Sequence, residues 1–241
     1  IAFLDGKTKI LAMCNDYSGL QEFVILNAET GETVQPPIPY AQQENGSMAS
    51  LFFQRENRGD LPIPVKFFAG NMNYVYLLDL QTGSLREVMG LDTSFAAGGY
   101  SIDHAAVTDD GNLIVMRGDS SGIYNGNYQT FQITSPDRTD ILCYDTGSLA
   151  LLWESQITNY IFSRSRTIES VPDSDRILIQ SGDVIQIHDA ATGEKLLQCQ
   201  LPAIPLFLKV EAEEVWGITQ DGASFDYYYE TDQCRVASFV D

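Results

Sequence analysis

An all-β fold, a β-propeller of four-stranded antiparallel blades, is what this sequence predicts, and three observations predict it. One phrase recurs four times: VILNAETGETVQ (Val24 to Gln35), VYLLDLQTGSLREV (Val75 to Val88), ILCYDTGSLALLWE (Ile141 to Glu154) and IQIHDAATGEKLLQ (Ile185 to Gln198). Each copy reads as a β-hairpin: an apolar run rich in β-branched and aromatic residues, an Asp or Asn, a Thr-Gly whose glycine supplies a positive φ at low steric cost, and a second apolar alternation. Ahead of each hairpin stand another strand-like run with its turn and, before that, a short apolar run, so the unit has four strands. The spacing is the third observation. Gly31 to Gly83 is 52 residues, Gly83 to Gly147 is 64 and Gly147 to Gly193 is 46, close to the ~40–50 of a propeller blade once two insertions are allowed. A lone hairpin buries too little to be stable, so the copies must stack. No segment sustains a period near 3.6, which excludes a helical solenoid.

The first blade (1–37) takes Ile1 to Leu4, FLDGKTKILAM and the first hairpin. The second (47–91) takes Met48 to Phe53, DLPIPVKFFAG and its hairpin, with Gln54 to Pro64 enlarging its first turn into a charged, Gly- and Pro-containing loop. The third (101–156) takes Ile102 to Val107, VTDDGNLIVMRG and the hairpin ending in Trp153. Here Arg117 to Asp140 enlarges the connection between the second and third strands, and Tyr124, Tyr128 and Phe131 argue that part of it packs, as a strand extension or as a binding loop. The fourth (166–201) takes Thr167 to Val171, VPDSDRILIQSG and the fourth hairpin. The fifth (205–241) takes Leu206 to Val210, VEAEEVWGITQDG and an eroded hairpin, SFDYYYETDQCRVAS, in which Asp232-Gln233 stands for Thr-Gly. Five blades are recognisable, as a whole ring or as part of a larger one.

Composition narrows the function. With 241 residues, 44% hydrophobic, the chain has ample material for one domain's core. A formal charge of −19 opposes binding to nucleic acid, which needs clustered Lys and Arg, and to anionic membrane surfaces. No run approaches 18 apolar residues, so no membrane insertion is expected within this segment. The four cysteines have no C-x-x-C spacing: Cys14 and Cys143 read as small buried hydrophobes, while Cys199 and Cys234, in the final-strand regions of successive copies, leave one disulfide open with free thiols the expectation.

At Val75 to Val88 and Ile141 to Trp153 the residues resemble the quinoprotein-type propeller repeat, an apolar strand, Asp, two variable residues, Thr-Gly and a strand often ending in Trp. The copy at Asp145 departs from that order, because Thr146-Gly147 follows it directly. The resemblance implies that Trp153 docks between blades, with Val34, Val88 and Leu197 near the equivalent places. Relatives that oxidise alcohols or sugars hold pyrroloquinoline quinone over calcium in the channel. The resemblance implies the fold and carries no cofactor here.

Candidate chemistry is sparse. Asp103-His104 falls in the inner strand of the third blade, but neighbours in a strand point to opposite faces, so the two do not form a dyad. Asp109-Asp110-Gly111-Asn112 has clustered oxygens, yet Asp5-Gly6 and Asp173-Ser174-Asp175 recur at the same repeat position, which marks a hairpin turn rather than a metal site. Tyr227, Tyr228 and Tyr229 alternate faces and are explained by packing. No Ser-His-Asp, Walker, dinucleotide or zincin pattern occurs. No cofactor, metal or catalytic residue is expected.

In a propeller the second-to-third-strand and blade-to-blade links gather on one face around the channel mouth. That rim comprises Pro36 to Gly46, Asp92 to Tyr100, Arg117 to Asp140 and Ser155 to Arg166. Its binding candidates are Tyr100, Asp103, His104, Arg117, Tyr124, Tyr128, Arg138, Arg164 and Arg166, since arginine and tyrosine dominate interface hot spots. The expected role is a non-catalytic binding or scaffold module that takes a protein, peptide or glycan, as the sensing domain of a larger bacterial extracytoplasmic or surface protein. The alternative is a lyase or hydrolase using channel carboxylates, with Asp103 and His104 the residues to test.

Overall fold

The computed structural model describes residues 2–15, 21–40, 48–52, 59–69, 72–92, 100–119, 137–159 and 165–237. Every regular element among them is a β-strand. Blade one is β1 (Ala2–Leu4), β2 (Lys9–Asn15), β3 (Gln21–Asn27) and β4 (Ile38–Pro39), and blade two is β5 (Met48–Leu51), β6 (Ile63–Ala69), β7 (Met72–Leu78) and β8 (Leu85–Asp92). Blade three is β9 (Tyr100–Val107), β10 (Asn112–Asp119), β11 (Asp137–Asp145) and β12 (Leu151–Asn159). Blade four is β13 (Arg166–Ser170), β14 (Arg176–Ser181), β15 (Val184–Asp189) and β16 (Lys195–Gln200); blade five is β17 (Pro205–Val210), β18 (Glu214–Thr219), β19 (Ser224–Tyr228) and β20 (Gln233–Ala237). Each blade is an antiparallel sheet in chain order. The outer strand of blade one has only two residues, in the run Pro36-Pro37-Ile38-Pro39. Proline has no amide to donate, so such a segment can serve only as a short edge.

Strand alternation splits each blade's side chains between its two neighbours, and the core is four apolar layers between blades. Leu11, Phe23 and Ile25 of blade one meet Val65, Phe67 and Leu78 of blade two. Val75 and Leu77 of blade two meet Ile102, Leu113 and Val115 of blade three. Ile114, Met116 and Ile141 of blade three meet Ile177, Ile179 and Val184 of blade four. Leu178, Ile185 and Ile187 of blade four meet Val215, Phe225 and Tyr227 of blade five. The sheets do not close into a ring. The forward face of blade five therefore shows Phe207, 45% exposed, and Ile218, 43% exposed, while Ile10, Ala12, Val24 and Leu26 on the backward face of blade one are only half-buried. Cys14 shares that backward face and is exposed, contrary to the expected burial, because no blade covers it.

The repeated turn has a definite chemistry. Asn27, Asp79 and Asp189 each accept two backbone amides on a side-chain oxygen, from Glu29 and Thr30, Gln81 and Thr82, and Ala191 and Thr192. This is the local closure that makes Asp or Asn favourable at the start of a turn. Gly31, Gly83 and Gly193 follow with φ of 73°, 70° and 71°. In blade three Asp145 accepts the amide and the hydroxyl of Ser148 on one side-chain oxygen, and the left-handed position is Leu149, with φ of 59°. Ser148-Leu149, not Thr146-Gly147, thus occupies the Thr-Gly place, and two variable residues do separate it from Asp145. In blade five Asp232 holds the left-handed position, with φ of 49°, so Thr231-Asp232 rather than Asp232-Gln233 is the equivalent pair.

The turns of blades two, three and four each receive a side chain from the preceding blade. Ile38 covers Gly83, the Arg86 guanidinium donates to the Gly147 carbonyl at 3.0 Å, and the Trp153 indole lies on Gly193 with its Nε1 donating to the Ala190 carbonyl at 3.0 Å. The indole is also stacked parallel to His188. Trp153 thus docks between blades as the repeat resemblance implied. Of the residues near the equivalent places, Val88 packs against the layer between blades two and three and Leu197 against that between blades four and five, while Val34 is 47% exposed; Ile38 and Arg86 make the turn contacts.

Candidate functional site

The rim face is built from the ends of β10 and β12 and the starts of β9, β11 and β13, so the described arginines singled out in the sequence, Arg117, Arg138 and Arg166, arrive from three strands. On β10 and β11, Arg117 and Asp140 are direct cross-strand partners, and Asp140 stands opposite Gln156 on β12. Arg117 donates to one Asp140 oxygen from Nη2 at 2.7 Å and Nε at 3.2 Å, while Arg138 donates to the other oxygen at 2.9 Å. The Gln156 amide, with its oxygen turned toward β11, accepts from Arg138 as well. Asp140 is 4% exposed. A buried carboxylate held by two guanidinium groups is fully compensated, and the strong charge-assisted bonds fix both arginines in orientation. The Arg138 side chain stays 48% exposed and that of Arg117 30%.

A second pair bridges the inner strands of blades three and four. Arg166 on β13 faces Asp103 on β9 at 3.4 Å, and its Nη1 donates to the Ser165 carbonyl. Asp103 also accepts the Ser101 hydroxyl at 2.5 Å. Gly118 on the neighbouring β10 makes room for this carboxylate, since a Cβ there would overlap it. The Arg166 side chain is only 3% exposed, so its charge sits inside the seam. Around it Gln180 donates to the Gly182 carbonyl at 2.6 Å, and the Thr139 and Ser181 hydroxyls meet at 3.0 Å. Arg166, Asp103, Thr139 and Ser181 line the rim end of the layer between blades three and four, while Gln180 lies on the face of β14 toward blade five.

His104 points away from Asp103. It packs edge-on against Phe52 of blade two and is 7% exposed. Burial, reinforced by the Arg166 charge, pushes its pKa down to about 4, so it is neutral at pH 7. His188 is lowered by burial in the same direction. Its ring bridges Gln186 and the Gly193 carbonyl, a structural hydrogen-bonding role. Among the described residues no group of three or more His, Cys, Asp or Glu side chains converges on a metal position.

The structure thus brings Asp103, Arg117, Arg138 and Arg166 to one end of blades three and four. It also places Tyr100 at the start of β9. Tyr124, Tyr128 and Arg164 lie outside the described residues. Of the enlarged connections, Arg117–Asp119 and Asp137–Asp140 are strand, as are Ile63 and Pro64 at the end of the enlarged turn of blade two. Sequence reasoning missed Asp140, Gln156 and Gln180, whose polar character in otherwise apolar strand alternation was the available signal. The opposite face, expected to offer mainly short Thr-Gly turns, also carries the end of the enlarged turn of blade two. That face holds a cleft of about 420 Å³ lined by Asp5, Lys9, Gln35, Asp60 and Gln81 among others. Asp5 accepts the Gly59 amide at 2.7 Å and pairs with Lys9 at 2.9 Å, and these bonds hold its carboxyl below the usual range.

No family model matches the sequence, and no curated protein matches it. Solved structures do match in shape. The β-propeller domain of Cps50 (Swd1) from Myceliophteria thermophila superposes with a TM-score of 0.57 at 10% identity, covering 99% of this chain and 71% of that one. A chain of a mitotic checkpoint complex gives 0.55 at 12% identity, covering 98% and 64%. An acylaminoacyl peptidase from Pyrococcus horikoshii gives 0.54 at 12%, covering 100% and 39%. The chain therefore spans less than two thirds of several of these relatives. Blades of the kind seen here are those of β-propellers.

Proposed function

We propose that this chain is a non-catalytic binding module, and that a protein or peptide partner engages the rim of blades three and four. The observation that carries the reading is the Arg117–Asp140–Arg138 network: a buried carboxylate orients two partly exposed guanidinium groups, which presents donors to a partner carboxylate with little side-chain entropy left to lose. Propellers taking part in complexes, such as the checkpoint-complex chain, support a scaffold role. A glycan could use the same donors. The repeat rhythm favours descent from the quinoprotein-like branch and a place in a larger bacterial extracytoplasmic or surface protein.

The test is selection of binders from a random peptide display library, followed by calorimetry on the wild type, Arg138→Ala and Arg138→Lys. A rim ligand should lose ~2 kcal/mol or more with Ala, the hot-spot range, and be only partly rescued by Lys, which lacks the bidentate fork. Unchanged affinity for a selected ligand, with the fold intact, would place the binding elsewhere.

A further inference from the structure

Cys199 and Cys234 come from the outer strands of neighbouring blades, and the register brings them to one layer. Cys199 on β16 is the cross-strand partner of Ile185, which faces blade five. Cys234 on β20 is the partner of Tyr227, which faces blade four. Directly paired residues share a face of their sheet. Both thiols therefore project into the layer between blades four and five, near enough for each to shift the other's ionisation. Cys199 is 4% exposed and packs beside Tyr227, whereas Cys234 is exposed at the edge of the layer.

We infer that Cys199 and Cys234 form a dithiol site that a small-molecule disulfide oxidises to an interblade cross-link, with Cys234 the attacking thiol and Cys199 the resolving one. Access sets the order, since only Cys234 meets solvent. Electrostatics agrees with it. The interaction with Cys199 holds the Cys234 thiol below its usual range, while the interaction with Cys234, burial and the nearby Asp232 push Cys199 up. The Cys234 thiolate attacks glutathione disulfide, forming a mixed disulfide and expelling one glutathione thiolate. Cys199 then attacks the Cys234 sulfur; the second glutathione leaves with the Cys199 proton. The protein loses two electrons and two protons, and glutathione disulfide is reduced to two thiols. The cross-link would fasten blade five, which is covered on one face only.

The experiment incubates the folded chain with glutathione disulfide at pH 8, then counts thiols under denaturing conditions and maps tryptic peptides without reduction. Reactive thiols should fall from four to two, with Leu196 to Lys209 recovered linked to Val210 to Arg235. The midpoint of thermal unfolding should rise by about 5–10 °C, reversed by dithiothreitol, for a loop of this length. Cys234→Ser, at an exposed position, should keep its remaining thiols and show no rise, and Cys199→Ala should halt at the glutathione adduct on Cys234. A persistent adduct on wild-type Cys234, a link through Cys14 or between molecules, or four unreacted thiols would overturn the assignment.

Discussion

In blade four Leu178 and Gln180 are fully buried, whereas the residues in register with them in blade five, Trp216 and Ile218, are half-buried and 43% exposed. Both pairs lie on the forward face of the second strand of a blade, and the difference is only whether a further sheet lies in front. Blade five has the residue types of a covered face without the cover. Phe207 stacks edge-on against Trp216 and Lys209 lies over the same indole, so the open face is partly sealed by its own side chains. Alternation therefore encodes the pattern of a blade, while stability comes from its neighbours.

The largest effect that would sharpen this comparison is at the charge buried in the seam. Arg166→Ala should cost about 3–5 kcal/mol, because it strands Asp103 in a protected site, whereas Arg138→Ala, at a 48% exposed side chain, should cost at most about 1. Urea denaturation of both variants would decide, and equal losses would break the contrast. Next, Leu178→Ala in blade four should cost about 2–5 kcal/mol as a cavity, against about 0.5–1 for Ile218→Ala in blade five, where half the side chain is already in water. A matching loss at Ile218 would mean that its face is covered in solution.

Acid should act on the interior blades. His104 has its pKa lowered from 6.5 to about 4, so the unfolded chain takes up a proton that the folded one refuses. The stability it contributes is complete above pH 6.5 and is lost as pH falls to 4, about 3 kcal/mol in all. His188 adds to the loss in the same direction. Denaturant midpoints of the wild type and His104→Phe between pH 7 and 4 would test this, the variant being the flatter. The smallest contrast separates two glycines with nearly the same φ. Gly31→Ala should cost about 1–2 kcal/mol for its left-handed backbone, with nothing near its Cβ, while Gly193→Ala should add about 1–3 by displacing Trp153.

Much of the blade rhythm was readable because strand alternation and turn chemistry are local. The hairpin at Asp189 to Gly193 names itself. At Asp145 the same locality misled, because Thr146-Gly147 imitates the motif while the backbone puts Leu149 in the left-handed place. Only the hydrogen bonds of Asp145 to Ser148 reveal the frame. The rim was readable as a region and not as an arrangement: Arg117 and Asp140 are 23 residues apart, and Arg166 reaches Asp103 across a blade boundary. Pairings of that kind depend on register between strands, which no short window contains.

The two tryptophans stand on opposite sides of the opening comparison, Trp153 sealed at the turn of blade four and Trp216 on the uncovered face of blade five. The molecule consequently carries two optical reporters. Emission from Trp216 should lie to the red and be quenched by acrylamide, while Trp153 should emit to the blue and dim in acid as the stacked His188 becomes a cationic quencher. Replacing either indole with phenylalanine would leave a single-colour gauge, one for the seam between blades three and four and one for whatever comes to rest on the exposed end.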